Sequence, residues 1–136
     1  MIRIAFILLL SFTHFQDKDK KAKMLCKNWG QIGQQYLPEG SYKDIPSNIA
    51  RKITFNDNGT YSEIYGANRA SGYWKFNSDS TKFLISYETY NDEKVQNDFN
   101  LKYYFPILKL NEDTLVFSRM DRQRTVKETY IKQLDK

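Results

Sequence analysis

The sequence predicts an all-β fold: an eight-stranded antiparallel up-and-down barrel, wound as a meander. Three observations carry that expectation. Short runs rich in Ile, Phe, Tyr, Val and Thr recur along the chain, a composition suited to a pleated, half-buried surface. Clusters of Asn, Asp, Ser and Gly separate these runs at hairpin spacing. Beyond residue 27 there is no helical period long enough to organise a fold. With 136 residues, 40% hydrophobic and 15% aromatic, the chain suits one globular domain, and its six Gly and three Pro fit neither a collagenous nor a disordered chain.

The first element is an address. Met1-Ile2-Arg3 is a short cationic start, Ile4 to Leu10 is an unbroken apolar run, and the run fades through Ser11, Phe12 and Thr13 into Gln16. That is the pattern of a secretory signal peptide over residues 1–16. The apolar run falls short of the roughly 20 residues a membrane span requires, so no span is expected in the mature protein. The expected location is outside the cytoplasm: periplasm, cell envelope or secreted. No small residue marks the cleavage site, and an uncleaved anchor or a buried first strand is the other reading. Cleavage would take Arg3 from the 21 basic residues and none of the 16 acidic ones, leaving a net charge of +4. It would also remove His14, the sole histidine, and with it any Ser-His-Asp, Cys-His or histidine-ligated metal chemistry. Cys26 is the single cysteine, so no intramolecular disulfide can form, and it reads as a half-buried structural thiol.

Residues 17–27 are a lysine-rich lead, read as a charged segment or a short helix, and residues 28–136 are read as the barrel domain. Strands are expected at 28–36, 49–56, 60–66, 72–77, 82–90, 95–110, 114–120 and 124–133. The turns repeat one chemistry, in Asn56-Asp57-Asn58-Gly59, Asn77-Ser78-Asp79-Ser80 and Asn111-Glu112-Asp113. Asn and Asp side chains bond nearby backbone and Gly59 supplies positive φ, so each cluster reverses the chain. Register follows from the turns. A loop at Asp57-Asn58-Gly59 sets Phe55 opposite Tyr61 and Ile53 opposite Glu63, with Arg51 and Tyr65 on the same face. A loop at 78–81 sets Phe76 opposite Phe83, Trp74 opposite Ile85 and Gly72 opposite Tyr87. A two-residue loop at Glu112-Asp113 sets Leu110 opposite Leu115 and Leu108 opposite Phe117. A twisted sheet of this size with one apolar face and no long helix to cover it closes on itself. The interior of such a barrel is filled by side chains or holds one small ligand.

Trp29 near the first strand, the segments Lys52-Ile53-Thr54-Phe55-Asn56-Asp57-Asn58-Gly59-Thr60-Tyr61 and Ser71-Gly72-Tyr73-Trp74-Lys75-Phe76, and Leu110-Asn111-Glu112-Asp113-Thr114-Leu115-Val116 carry a resemblance. Together with the export signal, they resemble the bacterial lipocalin-like domain family over roughly residues 25–133. The resemblance implies a small secreted calycin-type barrel whose cup holds an apolar ligand. Two departures stand beside it. Lys27-Asn28-Trp29 lacks the glycine that precedes the first-strand tryptophan in lipocalins, and a Gly-Tyr-Trp occurs instead at Gly72 to Trp74. The family's barrel-closing arginine corresponds to Arg119, Arg122 or Arg124.

The candidate ligand-binding residues are Tyr61, Glu63, Tyr65, Trp74, Phe76, Phe83, Tyr87, Tyr103 and Phe117. With Ile85 and Leu108, the indole and phenyl groups read either as the wall of a cup or as packed core. The tyrosines offer hydroxyls that orient the polar end of a ligand. Glu63 falls among aromatics, where a carboxylate is costly unless paired, and Arg51 is its nearest partner. The pair reads as a polar anchor or as a rim salt bridge. Asp57-Asn58-Gly59 lacks the ligand spacing of a calcium loop and reads as a turn. Residues 36–49, with Pro38, Gly40 and Pro46, are a long connection that reads as a lid or a mobile loop. Arg119, Arg122, Arg124 and Lys127 gather near the last turn, but export argues against nucleic acid as their partner. No carboxylate spacing supports glycosidase chemistry. The expected function is an exported, non-catalytic, lipocalin-like protein that binds a small apolar or amphipathic ligand, with no cofactor or metal. The alternative is an envelope protein-binding module, an inhibitor or assembly factor, using loops over a filled barrel.

Overall fold

The computed structural model describes residues 17–95, 99 and 103–134; the signal-peptide expectation for residues 1–16 lies outside them. A short helix, α1, covers residues 17–25. Ten strands follow: β1 Asn28–Leu37, β2 Lys43–Asp44, β3 Lys52–Phe55, β4 Thr60–Tyr65, β5 Asn68–Phe76, β6 Lys82–Tyr90, β7 Glu93–Lys94, β8 Tyr104–Leu110, β9 Thr114–Asp121 and β10 Arg124–Lys132. Eight of them, all but the two-residue β2 and β7, form an antiparallel meander that closes where β10 pairs with β1 along Trp29 to Leu37. The all-β barrel expected from the sequence is therefore the fold. Among the described residues no helix is long and apolar enough to cross a membrane.

The Asn-rich turns work as side-chain-locked reversals. Asn58 Oδ1 accepts from the Thr60 amide at 3.1 Å and from its hydroxyl at 2.7 Å. Asp79 Oδ1 repeats the device on Thr81, at 3.1 and 2.6 Å, and Asn111 Oδ1 accepts from the amides of Asp113 and Thr114. These bonds satisfy donors that the ladders cannot reach, and so fix where each strand begins. The resulting registers set Phe55 against Tyr61, Ile53 against Glu63, Trp74 against Ile85 and Phe76 against Phe83.

The second strand, expected over 49–56, forms only at Lys52–Phe55, and three larger differences stand beside it. β5 starts at Asn68, four residues early, because Gly66 at φ +59° completes a tight turn and lets the strand pair back to Tyr65. The strand expected over 95–110 is not continuous: the chain first doubles back on β6 as β7, through Asn91 and Asp92 in left-handed conformations, and β8 starts only at Tyr104. Residues 96–98 and 100–102 lie outside the described residues. Leu108 does not face Phe117. A bulge between Ile107 and Lys109 puts Ile107 there and turns Leu108 outward.

One end of the barrel is plugged. α1 lies over the turns at 56–59, 77–81 and 110–113 and sends Leu25, fully buried, into the core beside Trp29. The Trp29 indole donates to the Leu25 carbonyl at 2.9 Å, satisfying a helix-end acceptor. Of the residues considered for a barrel-closing cation, Arg119 pairs with Glu128, Arg122 lies in the β9–β10 turn and Arg124 stacks on Tyr36. The cation over Trp29 is Lys27, 5.9 Å from the ring and bonded to Glu112 at 2.9 Å. Above the plug an aromatic column fills the barrel. Phe55 meets Tyr61, Trp74 and Phe83 edge to face, with ring centroids 5.2, 5.6 and 5.0 Å away, and Phe83 continues to Phe117, which stacks on Tyr130.

The long first connection does not lie over the open end. β2 takes the edge of β1 at Gly33 and Gln34, which β3 leaves after pairing with Gly30. The Tyr42 hydroxyl sits where a Gly33 side chain would stand, 2.0 Å from an ideal Cβ, so the loop is pinned to the barrel wall.

Candidate functional site

The end opposite α1 is built differently. Arg51, just before β3, and the inward positions of β4, β6, β9 and β10 there carry charge or hydroxyl, as Arg51, Glu63, Tyr87, Arg119 and Glu128, where the other end carries rings. Arg51 Nη1 donates to Glu63 Oε2 at 3.3 Å, and the Tyr61 hydroxyl reaches the same oxygen at 3.4 Å. Tyr87 packs against Tyr61 beside this pair, ring centroids 6.4 Å apart. On the facing strands Arg119 Nε donates to Glu128 Oε1 at 2.5 Å and the Tyr130 hydroxyl to Glu128 Oε2 at 2.7 Å. Glu128 is fully buried, and a carboxylate there is tolerated only with both oxygens paired.

The electrostatics keep the phenols neutral and the guanidinium charged. Burial pushes Tyr61 and Tyr130 well above the ordinary tyrosine pKa, with Glu63 adding for Tyr61 and Glu128 for Tyr130. Burial followed by Glu63 does the same to Tyr87. For Arg51 burial alone would lower the pKa, but Glu128, Tyr130, Glu63 and Tyr61 together raise it. One donor is left over. Arg51 Nε is buried and meets no acceptor among the described residues.

Above this floor lies a cavity of about 530 Å³. Arg51, Tyr87, Tyr103, Phe105 and Arg119 line it from within the barrel, and Tyr104, Pro106, Ser118 and Met120 line it from strand positions that face outward. Both faces contribute because, among the described residues, no strand continues the wall between β6 and β9 at this level. β8 is laddered to β6 through Tyr104, Phe105 and Pro106, and to β9 only from Ile107 to Leu110. Ser118 to Asp121 therefore pair with β10 on one side and with no described strand on the other. A smaller cavity of about 110 Å³ adjoins Arg51 on its other side, between Glu63, Tyr65, Arg69 and Tyr90. Tyr65 is half exposed at this rim, with the Arg51 guanidinium 4.9 Å above its ring.

The sequence-predicted residues divide between the two ends. Tyr61, Glu63, Tyr65, Tyr87 and Tyr103 surround the polar floor or its cavities. Trp74, Phe76, Phe83 and Phe117 belong to the packed core, as their ring-to-ring contacts leave each of them buried. Trp74 and Phe76 touch a groove of about 440 Å³ at the α1 end, beside the helix. Sequence reasoning missed Glu128 and Tyr130. The alternation Val126, Glu128, Tyr130 puts all three on one strand face, and extending the register across the β9–β10 turn would have set Glu128 opposite Phe117. Among the described residues no cluster of three or more His, Cys, Asp or Glu could hold a metal ion. The sequence matches no protein-family model and no curated protein.

Proposed function

We propose that the chain is an exported, non-catalytic, lipocalin-like binding protein that holds one small amphipathic molecule in the open end of its barrel. The observation that carries the reading is the cavity of about 530 Å³, which falls within the ~300–1,000 Å³ typical of ligand pockets. Its composition suits an amphipathic guest: aromatic rings, Pro106 and Met120 form the walls, while Arg51 and Arg119 mark one polar point. The packed column below confines the guest to the upper part of the barrel, so it is small or lies partly in the gap between β8 and β9. The carboxylates favour binding over chemistry. Glu63 and Glu128 are engaged by guanidinium and phenol donors, an arrangement that positions those donors.

The test is gentle purification of the mature protein from its native host, then native and denaturing mass spectrometry. A stoichiometric small molecule that is lost on denaturation supports the reading, and Tyr104→Ala and Met120→Ala should then lower its occupancy. Bare protein with a co-purifying polypeptide would favour the envelope protein-binding module instead. A measured mass that retains residues 1–16 would overturn the export proposal.

A further inference from the structure

The charges around the cavity are not evenly placed. Arg51 and Arg119 line it, whereas Glu63 and Glu128 stand behind them and are absent from its lining. Hydrogen-bond accounting gives the same asymmetry. Glu63 accepts from Arg51 and Tyr61, and Glu128 from Arg119 and Tyr130. Glu63 Oε2 and both Glu128 oxygens are thus engaged, and the two side chains that present charge to the cavity are guanidinium groups, rich in N–H donors. The walls away from the guanidinia are apolar: Phe105, Pro106 and Met120, with the ring of Tyr104.

We infer that the cup selects amphipathic molecules with an oxyanion head, of carboxylate or sulfonate type, whose head docks on Arg51 and Arg119 and whose apolar body lies against Phe105, Pro106 and Met120. The inference rests on the proposed binding role and narrows it to one class of ligand. A cationic head would meet two guanidinium groups and no free carboxylate in the lining. A neutral hydroxyl head would accept a guanidinium N–H without the gain from opposite charge.

A head-group series on one tail tests it. Decanoate, decane-1-sulfonate, 1-decanol and decyltrimethylammonium are titrated calorimetrically into the mature protein, below their micelle concentrations. The two oxyanions are expected to bind about tenfold or more tighter than the alcohol, the gain of one charge-assisted hydrogen bond, and the ammonium more weakly than both. In the double variant Arg51→Gln/Glu63→Gln, which removes the pair without stranding either charge, the advantage of the oxyanions over decanol should shrink, with Arg119 alone left to face the head. Equal affinity across the heads, or preference for the ammonium, would overturn the oxyanion assignment and leave the cup intact as a binding site. Failure of all four to bind would overturn the cup itself. The head series on the unmodified protein decides the matter even where the double variant does not fold.

Discussion

Tyr130→Phe isolates the buried polar floor from the packing around it. The ring lies stacked on Phe117, centroids 5.1 Å apart and planes 12° from parallel, and its hydroxyl donates to Glu128 at 2.7 Å. The variant keeps the ring and the stack and loses one oxygen, too little to leave a methyl-sized cavity. What disappears is a hydrogen bond to a charged acceptor, about 1.5–3 kcal/mol, in a place where Glu128 has no water to turn to. For a domain of this size the melting temperature should fall by roughly 5–15 °C. In urea the midpoint should drop at unchanged slope. The pH dependence sharpens the test. Burial, then Glu128, raises the Tyr130 pKa in the fold, so the fold keeps the proton that the unfolded chain releases near pH 10. That contribution is whole below about pH 10 and is lost as pH climbs from there toward the raised folded value. The variant has no such proton, so the stability gap should narrow by about 1 kcal/mol between pH 10 and pH 11. Urea melts at pH 7, 10 and 11, with Tyr90→Phe as a half-exposed control, supply the comparison. A gap under about 0.5 kcal/mol at pH 7, the range of ordinary surface substitutions, would refute the buried bond.

Two further predictions concern the scaffold. Gly72→Ala should cost about 3 kcal/mol or more and cut the soluble yield, because its Cβ would come 2.0 Å from the Ser86 carbonyl oxygen, a backbone atom that cannot swing aside; a urea midpoint near that of the parent would show that β5 and β6 are not so close at their bulge. Leu25→Ala should cost about 2–5 kcal/mol by emptying the plug at the α1 end, with the exposed Lys20→Ala neutral beside it. Equal stability of these two variants in thermal melts would mean that α1 does not seat in the barrel.

What could be read from the sequence was whatever its turns announce. Asn58, Gly59, Asp79 and Asn111 mark their reversals chemically, and from them the pairing of Ile53 with Glu63 and of Trp74 with Ile85 follows by counting. The partnership of Arg51 with Glu63 was legible for the same reason. The β9–β10 turn announces nothing. Arg122 and Gln123 occupy left-handed conformations, φ 48° and 72°, with no Gly or Asn to signal them, so the register carrying Glu128 and Tyr130 into the floor stayed hidden. The bulge at Leu108 likewise has no glycine to reveal it. Depth along the barrel was illegible for another reason: whether Trp74 and Phe83 are wall or core depends on which end α1 plugs. That is decided by Leu25, one apolar residue at the end of a charged segment.

The two half-ladders of β8 set the mechanics of the ring. Most junctions in the barrel resist widening by a run of cross-strand pairs, whereas among the described residues β8 meets β6 from Tyr104 to Pro106 and β9 from Ile107 to Leu110, the two runs joining at Ile107, whose amide donates to the Thr81 carbonyl. Among the described residues, tension between β6 and β9 therefore passes through a single clasp. The spacing of these two strands follows the tilt of β8 about Ile107. For the proposed ligand, size would then be set by how far that clasp yields, and charge by the polar floor beside it.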